Sequence, residues 1–279
     1  MKKKWIFRWC VRVTIVLWII WGNLCPGLTR VALKDPDLPE DFHGFRIAHL
    51  SDLHNTEFGK ENVRLLRKLM KAAPDVIVIT GDILDANKTD TSVALAFVSN
   101  ALEIAPCYYV TGNHEGSIDT YENFKKDLKA LGVIVLENEY RVLERGNAKI
   151  RLYGIDDPNV CHDGIWGDPA AVTAQRLENL QIDSETYSIL LSHRPDLMEV
   201  YAAGEVDLVL SGHVHGGQFR IPFMGGLYAP SQGFFPEYNA GLYQLNDTQM
   251  IVSRGLGNSS FPLRLNNRPE IVLITLQSK

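Results

Sequence analysis

Between residues 45 and 111, short apolar runs alternate with segments whose apolar residues recur at helical spacing. The pattern predicts strands at 45–50, 75–80 and 107–111 and helices at 60–72 and 91–105. Pro74 and Pro106 close the two helical segments. This β-α-β-α-β order is typical of a layered α/β architecture, in which the loops at the carboxyl ends of the strands carry the chemistry.

The remainder of the chain is richer in strands. After a helix predicted at 121–131, the pattern predicts strands at 133–136, 141–144 and 149–155, a helix at 169–180, and strands at 188–191, 208–211, 218–221, 242–245, 250–253 and 271–276. Glycine and proline interrupt residues 216–241. We therefore predict the α/β class, with two mixed β-sheets packed face to face and flanked by helices in a single domain.

The first thirty residues differ from everything after them. A nearly uninterrupted apolar stretch at 13–21 follows five cationic residues, Lys2, Lys3, Lys4, Arg8 and Arg12. This run is shorter than the roughly 20 residues that a spanning helix needs, so a signal peptide, a short snorkelling anchor and an interfacial helix stay open. No small-x-small cleavage site follows the run, which favours an uncleaved anchor.

We therefore divide the chain into an N-terminal membrane anchor, residues 1–30, and a globular domain, residues 31–279. The cationic residues precede the apolar run and only Arg30 follows it closely. The positive-inside rule then places the N-terminus in the cytoplasm and the domain on the extracytoplasmic side of the cell membrane. The alternative is a hydrophobic helix that lies on the inner membrane surface.

Composition narrows the range of partners. The net charge of -5 and the isoelectric point near 5.9 give no basic field that would attract nucleic acid, so no nucleic-acid partner is expected. The four cysteines, Cys10, Cys25, Cys107 and Cys161, show neither close pairing nor zinc-ribbon spacing. A disulfide framework is therefore not predicted.

Five short polar segments each follow a strand-like apolar run and offer metal-binding side chains. They are Ser51-Asp52-Leu53-His54, Gly81-Asp82, Gly112-Asn113-His114-Glu115, Ser192-His193, and Gly212-His213-Val214-His215-Gly216-Gly217. In an extended backbone, side chains two residues apart lie on one face, so an Asp-x-His or His-x-His pair can hold one ion or bracket two. Their clustering at strand ends distinguishes them from scattered polar residues.

In this order, the segments resemble the calcineurin-like metallophosphoesterases, whose motifs are D-x-H, G-D, G-N-H-[DE], a single His, and G-H-x-H. The resemblance covers nearly all of the chain from residue 45 onward. Each fragment is weak by itself, whereas five in register are specific. The stretch 212–218, Arg254 before Gly255-Leu256-Gly257, and the ending at 263–270 are further similar to the membrane-attached bacterial branch of that superfamily.

The resemblance implies two divalent metal ions, such as Mn, Fe or Zn, and a ligand set for each. Its pattern makes Asp52, His54 and His215 the ligands of one ion and Asn113, His193 and His213 the ligands of the other, with Asp82 as the bridge. Carboxylates hold two dications close together, while imidazoles and a neutral amide limit the negative charge that would repel phosphate. The implied reaction is attack on a phosphoester by a hydroxide that bridges the two ions.

The resemblance further implies that His114 is a general acid for the leaving group; its alternative is a loop-capping histidine. Asp85 stands where related phosphatases place the carboxylate that orients this histidine, although an aspartate here is equally typical of a turn or a helix cap. Arg220, Arg254 and Arg264 are candidates for a phosphate contact, with Arg254 preferred and a surface salt bridge as the default.

The leading hypothesis is an enzyme that cleaves a phosphodiester or pyrophosphate of a cell-envelope or lipid-linked substrate, because a membrane tether favours an amphiphilic one. A broad phosphodiesterase or a phosphoprotein phosphatase with the same mechanism is the second hypothesis. The third, a scaffold that has lost catalysis, is disfavoured because all seven ligand positions and His114 are present.

Overall fold

Two long stretches of regular structure build the molecule, a helical N-terminus and an alternation of strands and helices. The computed structural model describes residues 2–161, 163–259 and 261–278. The helices are α1 (Lys2–Leu24), α2 (Val63–Ala72), α3 (Thr91–Leu102), α4 (Tyr121–Leu131), α5 (Pro169–Leu180) and α6 (Met198–Ala203). The strands are β1 (Gly27–Lys34), β2 (Arg46–Leu50), β3 (Val76–Thr80), β4 (Cys107–Val110), β5 (Ile134–Val135), β6 (Glu139–Arg145), β7 (Ala148–Gly154), β8 (Ser188–Leu191), β9 (Leu208–Ser211), β10 (Arg220–Ile221), β11 (Gly225–Gly226), β12 (Tyr228–Ala229), β13 (Gly233–Phe234), β14 (Gly241–Leu245), β15 (Thr248–Val252) and β16 (Glu270–Gln277).

Two six-stranded sheets form the centre of the domain. The first sheet has the order β1-β16-β2-β3-β4-β5, and the second has the order β14-β15-β9-β8-β7-β6. β2, β3, β4 and β5 are parallel neighbours, as are β7, β8, β9 and β15, while β16 pairs antiparallel with β2. In the second sheet, β6 pairs antiparallel with β7 and β14 with β15, so both sheets are mixed. The predicted β-α-β-α-β order of residues 45–111 is confirmed.

The central strands are buried on both faces, which explains their continuous apolar runs. In β3, Ile77 and Ile79 pack under α2, α3 and α4, whereas Val76 and Val78 face the second sheet. Val209 of β9 packs against α5 and α6 on the far side. The layers follow the order helices, sheet, sheet, helices, and the predicted face-to-face sandwich is confirmed.

Helix starts and stops follow local capping chemistry. The Asp168 carboxylate accepts hydrogen bonds from the backbone N–H groups of Ala170 at 3.0 Å and Ala171 at 3.3 Å, and Pro169 stands at the first helical position. The bounds predicted for this helix, 169–180, are confirmed. α3 begins after the capping residue Asp90 and ends at Leu102, rather than at residue 105 as predicted.

β1 was not predicted. It pairs in parallel with β16, with Gly27 opposite Glu270, and it is a half-exposed edge strand, so its sequence has no strong apolar run. The N-terminal helix α1 ends at Leu24, and residues 27–30 already belong to β1 in the first sheet. The domain boundary predicted after residue 30 therefore falls inside β1.

The topology fixes where α1 meets the domain. β1 runs antiparallel to β2, because it is parallel to β16, which is antiparallel to β2. β1 therefore starts at the end of the sheet where β2, β3 and β4 finish. The segment Lys4–Leu24 within α1 is 21 residues long and contains an 18-residue window with a mean hydropathy of 1.4, so it is long and apolar enough to cross a membrane.

Candidate metal centre

All seven predicted ligands lie just after strands that end at the same end of the sandwich. Asp52 and His54 follow β2, Asp82 follows β3, and Asn113 follows β4 in the first sheet. His193 follows β8 in the second sheet, and His213 and His215 follow β9. Because the strands within each set are parallel, their carboxyl ends converge, as the sequence pattern predicted.

Several residues other than glycine at this end of the sandwich have left-handed backbone conformations, which are uncommon for them. Five of the predicted ligands have positive φ angles: Asp52 at 53°, His54 at 45°, Asp82 at 49°, His213 at 69° and His215 at 47°. Left-handed conformations cost residues with side chains free energy and cluster at functional sites, where the surrounding structure holds them in place. The loops are therefore shaped to aim these side chains inward.

Two glycines allow the loops after β3 and β4 to touch. A Cβ atom on Gly81 would stand 2.5 Å from the backbone N of Gly112, and one on Gly112 would stand 2.3 Å from Asp82 Oδ1. Neither position has room for a side chain, so both motifs require glycine for close approach, and Gly81 is also needed for its φ of 86°.

The first cluster joins Asp52, His54 and His215, which are all buried. Their closest ligand atoms are the Nε2 atoms of His54 and His215, 3.2 Å apart, and Asp52 Oδ1 lies 3.6 Å from His215 Nε2. The backbone N–H of His213 donates to both Asp52 carboxylate oxygens at 3.1 Å, which fixes the aspartate. This arrangement could hold one metal ion.

The second cluster joins Asp82, His193 and His213. Asp82 Oδ2 is 3.2 Å from His193 Nε2, and His213 Nδ1 is 3.2 Å from the same nitrogen. His193 Nδ1 lies 2.6 Å from the carbonyl oxygen of Thr80, which can only accept, so Nδ1 carries a hydrogen and Nε2 is the nitrogen that faces the cluster. Asp82 Oδ2 also lies 3.7 Å from His54 Nε2, which places this carboxylate between the two clusters.

The charge states of the imidazoles suit metal binding. Burial lowers the pKa of His54 to about 4, and burial together with neighbouring cationic groups holds the pKa values of His213 and His215 well below the usual range. For His193, burial is outweighed by the Asp82 carboxylate, which raises its pKa to about 10. Three rings are therefore neutral at neutral pH, and a cation at His193 would take the place of a proton.

Three buried atoms of the predicted ligands have no hydrogen-bond partner within the part of the chain that the structure describes, namely His54 Nδ1, Asn113 Oδ1 and His213 Nε2. Buried polar atoms are normally satisfied, so such atoms indicate a missing partner. An amide oxygen beside imidazoles and carboxylates is a donor set that suits first-row divalent ions. The residues present therefore fit the metal ions that the sequence implied.

His114 lies beside the clusters and faces a cavity. The backbone N–H of Ala86 donates to its Nδ1 at 3.0 Å, so Nδ1 accepts and the ring hydrogen lies on Nε2, which is 3.3 Å from Ser259 Oγ. Asp85 Oδ1 is 3.9 Å from Nδ1, beyond hydrogen-bond distance, and accepts from the backbone N–H of Asn87 at 2.8 Å. The structure thus places Asp85 next to His114, in a turn-forming contact.

Glu115 is a site residue whose role was not predicted from the motifs. Its buried carboxylate accepts from the backbone N–H groups of Asp82 at 2.8 Å, Gly112 at 2.7 Å and Leu84 at 3.0 Å. These bonds tie the loop after β3 to the loop after β4. The final position of the G-N-H-[DE] motif is the available signal, because only an acidic side chain supplies two accepting oxygens there.

Two ion pairs and one buried guanidinium lie next to the loops that carry the predicted ligands. Arg194, next to His193, forms a buried pair with Asp157, with Nε to Oδ2 at 2.7 Å and Nη2 to Oδ1 at 3.0 Å. Arg254 pairs with Glu270. The buried guanidinium of Arg264 lies 3.2 Å from His215 Nδ1 and donates to the carbonyl of Gly257 at 2.5 Å.

A cavity of about 530 Å³ opens above the clusters. Five of the predicted site residues line its floor: Asp82, Asn113, His114, His213 and His215. Its other side is mainly apolar and includes Phe219, Leu227, Tyr228, Pro230, Phe234 and Phe261. Among the described lining residues there is no arginine, and Arg254, the preferred candidate for a phosphate contact, forms the salt bridge with Glu270 that was its default.

Comparisons with known proteins agree with this arrangement. The family model described as calcineurin-like phosphoesterase matches residues 45–217. An uncharacterized metallophosphoesterase of Bacillus subtilis, YkuE, is 34% identical over 257 residues, which cover 90% of this chain and 85% of that protein. Phosphodiesterase YaeI of Escherichia coli is 31% identical over 237 residues, with 83% of this chain and 82% of that protein covered.

A bovine protein named transmembrane protein with metallophosphoesterase domain is 32% identical over 267 residues, which cover 91% of this chain and 57% of that protein. Among solved structures, TT1561 of Thermus thermophilus superposes with a TM-score of 0.51 at 14% identity, covering 76% of this chain and 90% of that one, which supports the fold. The chain therefore belongs to the calcineurin-like phosphoesterase family and is a hydrolase that acts on phosphoesters.

Proposed function

We propose that the protein cleaves a phosphodiester or pyrophosphate bond in an amphiphilic molecule of the cell envelope with the help of two divalent cations. The observation that carries this proposal is the position of Asp82. Its Oδ2 lies 3.2 Å from His193 Nε2 and 3.7 Å from His54 Nε2, so one carboxylate serves both clusters.

In this proposal, Asp52, His54 and His215 hold one cation, Asn113, His193 and His213 hold the other, and Asp82 contacts both. When bound, the cations supply Lewis acidity toward a phosphoryl oxygen and lower the pKa of a water molecule so that it can attack phosphorus. The protein contributes rigid placement: Glu115 joins two of the ligand loops, and the Arg194–Asp157 pair supports His193.

His114 is proposed to assist the leaving group. Its Nε2 hydrogen is directed toward Ser259 at the cavity, and the Ala86 N–H fixes the ring from behind. A hydrogen held there can be shared with the departing oxygen as the phosphorus–oxygen bond breaks. Asp85 is proposed as a weaker supporting group, since its carboxylate lies near the ring without a hydrogen bond to it.

The substrate class rests on the N-terminal helix. We propose that α1 is an uncleaved anchor and that the domain lies on the extracytoplasmic side, because the cationic residues precede the apolar segment. A domain held at a membrane meets amphiphilic phosphoesters at high local concentration.

Turnover by the full-length protein tests this proposal. The purified chain, supplied in turn with Mn²⁺, Fe²⁺ and Zn²⁺, is assayed on a lipid phosphodiester, a lipid pyrophosphate, a nucleotide phosphodiester and a phosphopeptide. The proposal expects the highest kcat/KM on one of the lipids. A higher value on the nucleotide or phosphopeptide would contradict the envelope substrate, and no turnover with any metal would contradict catalysis altogether.

A further inference from the structure

Two short hairpins beside the cavity carry large apolar side chains into solvent. The β10–β11 hairpin has Phe223 and Met224 in its turn, and Phe223 is fully exposed. The β12–β13 hairpin carries Phe234, which is 72% exposed, followed by Phe235 at 53%. We call these four side chains the hairpin surface.

The sequence around the hairpin surface has few charges. Residues 216–245 contain only Arg220 and Glu237 as charged side chains. Isolated exposed apolar residues are ordinary, but a group of four on adjoining hairpins with few charges between them is typical of an interaction site. The hairpin surface is therefore expected to be covered by something in the working protein.

The hairpins lie at the end of the sandwich where α1 joins the domain. Both follow β9 and the ligand His215, while β1 starts at the same end of the first sheet. Hydrogen bonds link the first hairpin to α1 through the neighbouring residues 264 and 265. The N–H of Arg220 in β10 donates to the Leu265 carbonyl at 3.0 Å, and the N–H of Arg264 donates to Asn23 Oδ1 of α1 at 2.8 Å.

This junction has the composition of a membrane interface. Trp18 and Trp21 of α1 face Arg268 and Arg254 across a small cavity, and the Arg268 guanidinium lies over the Trp21 ring at 4.2 Å. Tryptophan and arginine near the end of an apolar helix are typical of the headgroup region. The bilayer that holds α1 is thus the partner nearest to the hairpin surface.

The inner side of the β12–β13 hairpin forms part of the apolar wall of the metal-centre cavity. Tyr228 and Phe234 line it from this hairpin, and Phe219, just before β10, lines it with its ring edge to face on the Phe261 ring at 5.1 Å. Phe234 belongs to both the wall and the exposed surface. The cavity therefore connects the metal centre to the hairpin surface by an apolar path.

We propose that the hairpin surface inserts into the headgroup region of the bilayer that holds α1, so that the cavity opens onto lipid. The hydrocarbon part of a membrane phosphoester then lies against the wall of Phe219 and Phe261 while its phosphate reaches the floor. The statement about the substrate and the presence of a bilayer around α1 rest on the proposed function, whereas the exposure of the hairpin surface and its position beside α1 are observed.

Fluorescence quenching tests the insertion without any need for turnover. Full-length Phe223→Trp and wild-type protein are placed in vesicles whose lipids carry bromine at a shallow acyl position, and the wild-type emission is subtracted. The matched control is Met70→Trp. Met70 is 66% exposed on α2, near the opposite end of the sheet, where Arg46 Nη1 contacts the Ala72 carbonyl.

The proposal expects brominated lipid to quench the emission of Trp introduced at position 223 and to leave that of the control unchanged. Absence of quenching at position 223 would overturn the proposal, whether the surface is bare or covered by a second copy of the chain. Equal quenching of both variants would also overturn it, because the contact would not be specific to the hairpins.

A kinetic comparison tests delivery of the substrate. Met224→Ser and Met70→Ser replace methionines that are similarly exposed, at 61% and 66%. For each, kcat/KM on a long-chain lipid phosphodiester in vesicles is divided by kcat/KM on a soluble nitrophenyl phosphodiester. Met224→Ser should lower this ratio severalfold to roughly tenfold and Met70→Ser should not, since burying one such side chain in lipid corresponds to about that factor.

An unchanged ratio in Met224→Ser would contradict the role of the surface in delivery. The proposed function can fail separately: if the wild-type protein does not turn over lipid but position 223 is quenched, the hairpins insert and the substrate class is wrong. If lipid is turned over but position 223 is not quenched, the insertion is wrong and the substrate class stands.

Discussion

Asn23 and Arg264 are joined by a reciprocal pair of hydrogen bonds across the junction between α1 and the domain. The backbone N–H of Arg264 donates to Asn23 Oδ1 at 2.8 Å, and Asn23 Nδ2 donates to the Arg264 carbonyl at 2.9 Å. The Arg264 guanidinium lies 3.2 Å from Nδ1 of the proposed ligand His215. The N-terminal helix is thus fastened to the segment that supports the metal centre.

Two N-terminal deletions should behave differently. Removing residues 2–24 leaves β1 paired with β16, whereas removing residues 2–30 also deletes the half of β1 that pairs Gly27–Arg30 with β16. Both proteins should leave the membrane fraction, because the shallow contact proposed for the hairpin surface is much weaker than a spanning helix. The longer deletion should be less stable by about 2–4 kcal/mol, since each lost backbone hydrogen bond costs roughly 1 kcal/mol.

Urea unfolding of the two truncated proteins measures this difference, and fractionation measures their release from the membrane. Equal stability would show that the first half of β1 contributes nothing to the sheet. A protein lacking residues 2–24 that still sediments with membranes would show that α1 is not the sole attachment.

Glu115→Gln should loosen both proposed ion sites without removing a ligand. The glutamate accepts three backbone hydrogen bonds, and the amide NH₂ of glutamine would face N–H groups of the loops after β3 and β4. Leaving buried donors unsatisfied costs about 1–3 kcal/mol each. Thermal unfolding and metal retention during dialysis measure the effect, and the exposed Glu103→Gln serves as control. Unchanged retention would remove Glu115 from the support of the site.

His114→Ala should lose activity according to the leaving group. General acid catalysis is worth roughly 10²–10⁴-fold when the departing oxygen is an alkoxide, and it contributes much less when a nitrophenolate leaves unaided. The measurement is kcat on an alkyl and on a nitrophenyl phosphodiester. Equal losses on both would indicate that His114 stabilises charge on the phosphoryl oxygens instead.

Asp85→Asn separates the two interpretations of that carboxylate. If Asp85 supports the His114 ring across 3.9 Å, its loss should follow the same leaving-group trend more weakly, and the double variant should be far from additive. Additive losses would leave Asp85 with its contact to the Asn87 N–H, a turn-forming role.

His49 should make the protein sensitive to acid. Burial lowers its pKa from the ordinary 6.5 to about 3, and its Nε2 lies 2.8 Å from Thr80 Oγ1. Below pH 6.5 the His49 ring binds a proton in the unfolded chain, whereas in the folded protein it does not bind one until about pH 3. The stability due to this group is therefore present above pH 6.5 and is lost as the pH falls toward 3, by about 3–5 kcal/mol in all.

The difference in unfolding free energy between wild type and His49→Gln, measured from pH 8 down to pH 4, isolates this effect from that of the other buried histidines. The wild-type protein should lose stability faster than the variant over this range. Parallel pH profiles would show that His49 does not titrate as its burial requires.

Much of the fold was predictable because burial and capping leave local signals. β3 and β9 are buried on both faces and appear as unbroken apolar runs, and the Asp168-Pro169 pair marks the start of α5. β1 was missed because an edge strand needs no such run. Residues 216–241 form two small hairpins whose outward side chains are as apolar as a core, so the sequence cannot tell which phenylalanines are exposed.

At the metal centre, the motifs predicted which side chains would converge, because parallel strands finish at one end of a sheet. They did not predict the partners of those side chains. Glu115 acts through three backbone amides, Arg194 pairs with Asp157 from a different loop, and Arg264 reaches His215 from 49 positions along the chain. Such contacts depend on tertiary folding, which local patterns do not encode.

The number of metal ions held by the Asp82→Asn variant shows whether one carboxylate serves both ion sites. If it does, this substitution should remove most of both ions and reduce turnover to near background, while His215→Ala should remove mainly one. The measurement is the number of ions per folded chain by mass spectrometry, with wild type expected to hold about two. Full metal content and near-normal turnover in Asp82→Asn would show that Asp82 does not join two ion sites.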